Sequence, residues 1–165
     1  MIKKIFLAIM IALPAMAFGQ GKFGTVDVQS ILTAMPEVTE MNTQLETASK
    51  KYDEEFKKLV EEYNKKMTEF QNLAKDTPES IKERRVAEMQ EYEQKINQFR
   101  QTAQQDLQRQ QEQLMAPIEE KLQKAIETVG TEGSFTFIFQ NAMPTYVGKD
   151  VIDVTPSVKG KLGLK

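Results

Sequence analysis

The stretch EVTEMNTQLETASKKYDEEFKKLVEEYNKKMTEFQN, residues 37–72, decides the fold of this 165-residue chain. Apolar residues recur in it at steps of three or four, the spacing that places them on one face of a helix. Including one flanking position at each end, they are Met35, Val38, Met41, Leu45, Ala48, Tyr52, Phe56, Leu59, Tyr63, Met67, Phe70 and Leu73. The pattern predicts a long amphipathic helix whose apolar stripe must be covered by another element.

A second stretch, residues 79–129, has the same rhythm, with polar residues at Arg85 and Gln110 in the stripe. Its apolar positions are Ile81, Met89, Tyr92, Ile96, Phe99, Ala103, Leu107, Leu114, Ile118, Leu122, Ile126 and Val129. Between the two stretches, residues 74–80 contain Pro78, which suits the first turn of a helix. The two stretches therefore predict an antiparallel helical hairpin, residues 37–129, with its tip at about 74–80.

The charged residues of the first helix include five acid-before-base pairs at a spacing of four. They are Glu46 and Lys50, Asp53 and Lys57, Glu54 and Lys58, Glu61 and Lys65, and Glu62 and Lys66. Such pairs stabilise an isolated helix by about 0.2–0.5 kcal/mol each. They favour a helix that stands in water with little tertiary packing.

The two ends of the chain supply strand-like segments. Residues 22–28 alternate as a strand does, residues 134–139 (SFTFIF) are rich in aromatic and β-branched residues, and residues 146–151 form a weaker candidate. A short helix is expected from Thr155. Three short strands make a poor sheet in one chain and a better one when three chains pool them. The predicted fold class is thus α+β, a helical hairpin arm on a β-rich body, residues 20–36 and 130–165, completed by trimerisation.

The first residues resemble a secretory signal peptide. Lys3 and Lys4 precede an apolar run at 5–17, and small residues follow at Ala17 and Gly19. Charged start, short apolar middle and small-residue end are the parts of such a peptide, here predicted as residues 1–19. The run is too short to span a bilayer comfortably. We expect an exported, soluble protein, and the absence of cysteine excludes a lipid anchor at the cleavage site.

Composition excludes several kinds of chemistry. The chain has no cysteine and no histidine, so thiol nucleophiles, Cys/His zinc sites and histidine bases are absent. The G-x-G-x-x-G match at 19–24 runs into a strand, whereas the dinucleotide motif opens a helix. Loss of Lys3 and Lys4 with residues 1–19 would leave 20 basic and 24 acidic residues, which gives no support to nucleic-acid binding. We expect no enzyme, no metal and no cofactor.

At this point the chain resembles the Skp (OmpH-like) family of periplasmic chaperones. The resemblance lies in the signal peptide, the opening strand GTVDVQSIL (24–32), the long hairpin, and the segments PIEEKLQKAIETV (117–129) and FTFIFQN (135–141). It extends to the ending with Tyr146, Asp153, Val154 and Thr155, and it covers the whole chain after residue 19.

The resemblance implies a homotrimer in the periplasm that holds unfolded outer-membrane proteins without ATP. Soft and aromatic arm residues are candidates for contact with those proteins, namely Met67, Phe70, Met89 and Tyr92. At helical spacing, however, a place for these residues in the seam between the two helices is the favoured interpretation. A weak contact with lipid headgroups would involve a basic tip formed by Lys65, Lys66, Lys75, Lys82, Arg84 and Arg85, although a solvated charged face has the same composition.

Two other functions fit parts of the sequence. A structural coiled-coil spacer or tether of the cell envelope would use the same hairpin and would have no affinity for unfolded chains. A carboxylate-dependent hydrolase would need paired acidic residues, and those of the arm lie in charge-rich helical faces. The chaperone is therefore the leading hypothesis.

Overall fold

The computed structural model describes residues 21–164, so the signal peptide predicted at residues 1–19 lies outside the described residues. The elements in chain order are β1 (Phe23–Val26), α1 (Val28–Ala34), α2 (Pro36–Gln71), α3 (Glu79–Glu132), β2 (Phe137–Gln140), β3 (Ile152–Asp153) and α4 (Thr155–Lys161). The chain is mostly helical with one small sheet, and the predicted α+β class is confirmed.

Helices α2 and α3 form the predicted antiparallel hairpin around a loop at residues 72–78. The hydrogen bonds between the helices show the antiparallel direction, because higher residue numbers on α2 pair with lower ones on α3: Tyr52 bonds to Asp106, and Tyr63 bonds to Glu93. Every predicted stripe residue of α2 is buried or half-buried. On α3 the same holds except at Ile81, beside the loop, which is 37% exposed. The seam between the helices is thus the one that the three- and four-residue spacing predicts.

Strand β1 is the centre of a three-stranded sheet with the order β2-β1-β3. Both neighbours run parallel to it, with Phe23 opposite Phe137 and Gly24 opposite Ile152. Parallel neighbours require long crossover connections, and here the hairpin itself is the connection from β1 to β2. The sheet therefore joins the two ends of the sequence.

The strand expected at residues 146–151 is wrong. The third strand lies just beyond it, at Ile152–Asp153, and residues 146–151 form turns and irregular structure. Pairing with β1 decides the position: the Val154 N–H donates to the Thr25 carbonyl at 2.8 Å, which fixes the register. Gly148, which interrupts the earlier segment, lacks a side chain that could pack on a sheet.

Contacts group the described residues into two units. Residues 21–35 and 119–164 form one, called the body below, and Pro36–Ile118 form the other, called the arm. The body has the more deeply buried core. It comprises Val26, Ile31, Met35, Leu122, Ala125, Val129, Val154 and Val158.

A polar network fastens the two ends of the chain to each other inside the body. The Asp27 carboxylate caps α1 by accepting from the Ser30 N–H at 2.9 Å. The Thr155 hydroxyl accepts from the Asp27 N–H at 2.9 Å and donates to the Asp153 carboxylate at 2.6 Å. Because Thr155 is buried, these bonds satisfy polar groups that water cannot reach. This network gives a structural reason for the VDV and DVT segments at the two ends.

Candidate functional surfaces

One face of the sheet exposes three aromatic rings. Phe137 lies parallel to its cross-strand neighbour Phe23, with ring centroids 6.3 Å apart, and the ring of Phe139, two residues along the same strand, is 5.8 Å from that of Phe137. The rings are 41% (Phe23), 58% (Phe137) and 41% (Phe139) exposed. We call Phe23, Phe137 and Phe139 the aromatic face. A contiguous apolar patch of this kind is typical of a surface that another molecule covers.

The sheet edge beside this face is also open. Strand β2 pairs only with β1 among residues 21–164, so its outer N–H and C=O groups have no strand partner there. The following loop adds further exposed apolar side chains, with Met143 at 73%, Tyr146 at 84% and Val147 at 45%. An open edge with apolar side chains is a site where another chain can add. Sequence reasoning identified the strand but missed this surface, although the F-x-F spacing at 137–139 places two rings on one face.

Three hydrogen bonds between polar side chains connect the two helices of the arm, at two levels along the hairpin. The hydroxyl of Tyr52 donates to Asp106 at 2.5 Å, that of Tyr63 to Glu93 at 2.8 Å, and that of Tyr92 to Glu62 at 3.0 Å. Asp106 also accepts from Gln110 at 2.6 Å and pairs with Arg109. Each tyrosine thus packs its ring in the seam and fixes the opposing helix with its hydroxyl.

The four candidate contact residues lie in or beside that seam. Met89 is 8% exposed, and Met67, Phe70 and Tyr92 are half-buried. Tyr92 has further contacts with Lys66 and Lys95, whose ammonium groups lie 5.4 and 5.1 Å from its ring centroid. Their role in the hairpin is therefore structural, and contact with another protein at these positions stays a prediction.

The six residues of the basic tip differ in their surroundings. Arg85 donates to Glu88 at 2.9 Å and lies 3.9 Å from Glu69, and Glu88 also attracts Lys66 and Arg84, each at 3.7 Å. Lys82 pairs with Glu79 at 3.5 Å. The hydrogen bond from Arg85 lowers the pKa of Glu88 below its ordinary 4.5, so its carboxylate stays charged. Lys65 and Lys75 are exposed and make no ion pair within residues 21–164.

Ionisation of Tyr63 should occur at higher pH than for an ordinary tyrosine. Its hydrogen bond to Glu93 raises the pKa above 10.0, because the bond is lost when the hydroxyl loses its proton. A raised folded-state pKa means that the stabilisation is complete below pH 10 and disappears as the pH rises through the folded value. Subtracting the tyrosinate absorbance of Tyr63→Phe from that of the protein isolates this group.

The substitution Glu93→Ala should return the Tyr63 titration toward pH 10, since the charged acceptor is gone. Glu91→Ala is the matched control: Glu91 pairs with Lys95 on the same helix, so its loss leaves the hydrogen bond of Tyr63 to Glu93 in place. The prediction would be contradicted if Tyr63 titrated at the same pH in the unsubstituted protein, in Glu93→Ala and in Glu91→Ala.

Residues 21–164 contain neither a metal-binding cluster nor a membrane-spanning helix. No group of three or more acidic, histidine or cysteine side chains there could hold a metal ion. No helix of that part combines the length and the apolar character needed to cross a bilayer.

Comparison with known proteins places these features in one family. The family model for "Outer membrane protein (OmpH-like)" matches residues 22–162. A crystal structure from Caulobacter crescentus, described as that of an outer membrane chaperone (OmpH-like), superposes with a TM-score of 0.74 at 10% sequence identity. The match covers 87% of this chain and 85% of that one, and at this identity it shows the fold. A comparison with curated protein sequences gave no match.

Proposed function

Because the chain belongs to the family of OmpH-like outer membrane proteins, we propose that it is an ATP-independent holdase chaperone of the periplasm. It binds unfolded outer-membrane β-barrel proteins and prevents their aggregation before membrane insertion. The proposal rests on the family match over residues 22–162. The Caulobacter crescentus protein, which has the same fold, is itself described as an OmpH-like outer membrane chaperone. Export by the signal peptide at residues 1–19 is part of the proposal.

The working form is proposed to be a homotrimer joined through the body. Support comes from the aromatic face, where Phe137 is 58% exposed, and from the open edge of β2 beside it. The body of a single copy has its own buried core, but it leaves the three rings of the aromatic face in contact with water. Three copies that bury these faces against one another remove that apolar surface from water.

The arm is proposed to contact the unfolded protein. The arm has a cleft of about 620 Å³ beside Tyr52 and Phe99 that is open to solvent, and a holdase works through many weak contacts over such open surfaces. The predicted contact role of Met89, which is 8% exposed, requires the seam to open partly during binding. The same opening would uncover the half-buried side chains of Met67, Phe70 and Tyr92. Methionine suits such a role because its unbranched, polarizable side chain adapts to different partners.

A weak contact of the tip with anionic lipid headgroups is also proposed. Lys65 and Lys75 carry it, because acidic neighbours within 4.0 Å already pair with Lys66, Lys82, Arg84 and Arg85. Sedimentation with anionic vesicles should retain the protein slightly, and Lys65→Glu with Lys75→Glu should abolish the retention. Equal retention on zwitterionic vesicles would contradict a headgroup contact of this kind.

The decisive experiment is native mass spectrometry of residues 20–165, alone and with an outer-membrane barrel protein diluted out of urea. We expect a trimer that captures one unfolded chain and ignores a folded soluble protein. A monomer or dimer, or a trimer that never captures the barrel protein, would contradict the proposal. The trimer without capture would favour the structural spacer.

A further inference from the structure

Two long faces of the arm differ sharply in chemistry. On α2, every exposed residue from Lys50 to Glu62 is charged. On α3, by contrast, the exposed residues between positions 94 and 108 include only two charged ones, Lys95 and Arg100, which lie against Tyr92 and Phe56. The face opposite the seam carries side-chain amides over this span. This amide stripe consists of Gln94, Asn97, Gln101, Gln104, Gln105 and Gln108, all of them exposed. Gln90 and Gln111 extend it in both directions.

The stripe follows from helical geometry. Apart from the neighbours Gln104 and Gln105, its residues follow one another at steps of three and four. They therefore share one face, on the far side of α3 from Ile96, Phe99 and Ala103 in the seam. From 94 to 108 the stripe is about 21 Å long at 1.5 Å per residue. Helix propensity does not require amides here, because glutamate and lysine are helix formers of similar strength.

Most of these amides have unused hydrogen-bonding capacity. Gln108 donates to Glu112 at 3.1 Å, and the other five make no side-chain hydrogen bond within residues 21–164. Each glutamine or asparagine amide offers two donors and an acceptor oxygen. The stripe is therefore an uncharged row of donors and acceptors, in a chain whose residues are 28% charged.

The chemistry of the stripe restricts what it can bind. A charged partner would be matched by opposite charges, and an apolar partner by apolar side chains. A folded protein pairs its own backbone N–H and C=O groups internally. In an unfolded polypeptide the same groups have water as their partner along its length, so they can exchange that water for an amide row, which both donates and accepts.

We propose that the amide stripe of α3 is the surface on which the arm holds the backbone of an unfolded polypeptide. This inference rests on the chaperone function proposed above and assigns the polypeptide contact to residues outside the seam. About six residues of extended chain span its length, at 3.3 Å per residue. Recognition of backbone groups, which every polypeptide shares, makes the contact independent of the partner's sequence.

The test compares two fourfold alanine variants of the protein. The stripe variant carries Gln94→Ala, Gln101→Ala, Gln104→Ala and Gln105→Ala. The control variant carries Glu54→Ala, Lys57→Ala, Lys58→Ala and Glu61→Ala on α2, and it leaves the net charge unchanged. Alanine maintains the helix in both cases, and circular dichroism at 222 nm verifies this.

Affinity is measured by titration of a fluorescently labelled barrel protein, diluted out of urea, into each variant. The stripe variant should raise the dissociation constant about tenfold or more, since hydrogen bonds at four positions are lost. The control variant should stay within about twofold. Because the stripe is uncharged, the affinity of the unsubstituted protein should also depend little on salt concentration.

Each other outcome overturns the inference. Equal affinity of the stripe variant and the unsubstituted protein would leave the chaperone function standing and remove the stripe from it. Dissociation of the oligomer in native mass spectra of the stripe variant would assign the stripe to contact between copies. If the unsubstituted protein fails to bind the barrel protein, the proposed function fails as well.

Discussion

Phe137→Glu should convert the proposed homotrimer into monomers. Phe137 is the ring of the aromatic face that stacks with both of the others, Phe23 and Phe139, and it is 58% exposed in the single chain. Burial of a phenylalanine side chain contributes about 1.5–3 kcal/mol. A carboxylate in its place loses that contribution and must also give up its hydration if the interface forms. Three-fold symmetry repeats the loss in every subunit.

The fold of the single chain should survive this substitution, because Phe137 already faces solvent there. Sedimentation velocity would show the change of mass, and circular dichroism would show unchanged helix content. Val86→Glu is the matched control: it introduces the same charge at an arm residue that is 37% exposed, and the trimer should persist. A Phe137→Glu protein that still sediments as a trimer would exclude the aromatic face as the assembly surface.

The hairpin could be predicted from sequence because its signal is long and redundant. A seam of two dozen positions at helical spacing tolerates polar residues such as Arg85 and Gln110 and still defines a single face.

The ion pairs were less predictable. Of the five expected in α2, Glu46 and Lys50 pair at 2.6 Å, whereas Lys66 turns to Glu88 of α3 and Lys58 to Glu55. For Lys66, the spacing within α2 omits the partner helix, which offers a competing carboxylate. For Lys58, the competing carboxylate is three positions away on α2 itself.

The sheet was only partly predictable for a different reason. Strands β2 and β3 have four and two residues, and both pair with β1, which lies more than a hundred residues away in sequence. A short strand contains no information about its neighbour, so the order β2-β1-β3 and the parallel direction appear only in the structure. The same holds for the aromatic face, whose Phe23 and Phe137 come from opposite ends of the sequence.

Gly133→Ala should destabilise the body by about 1–3 kcal/mol, as expected when atoms are forced into a packed site. Gly133 directly follows α3, in a tight turn where Ser134 adopts a left-handed φ of 51°. The turn is closed by the Phe135 N–H, which donates to the Gly130 carbonyl at 2.9 Å. It folds the Phe135 ring back over Gly133, so that an added Cβ would lie 2.5 Å from the ring and 2.9 Å from the Val129 carbonyl oxygen.

The ring cannot move aside easily. Gly24 packs so closely against the ring that a Cβ at that position would lie only 3.0 Å from it. The Lys22 ammonium group lies 4.2 Å from the ring centroid. Lys22 also donates to the Gly133 carbonyl at 2.8 Å, which ties β1 to the same turn. A methyl group at Gly133 therefore disturbs the helix end, the ring and the central strand together.

Gly160→Ala is the matched control, because the same methyl group meets nothing there. Gly160 lies inside α4, and no atom comes within 4 Å of an added Cβ. Alanine in a helix is favoured over glycine by about 0.5–1 kcal/mol, so this variant should be slightly more stable. Urea unfolding measured by circular dichroism should shift the two midpoints in opposite directions. Shifts of the same sign and size would mean that the Phe135 ring does not occupy the space above Gly133.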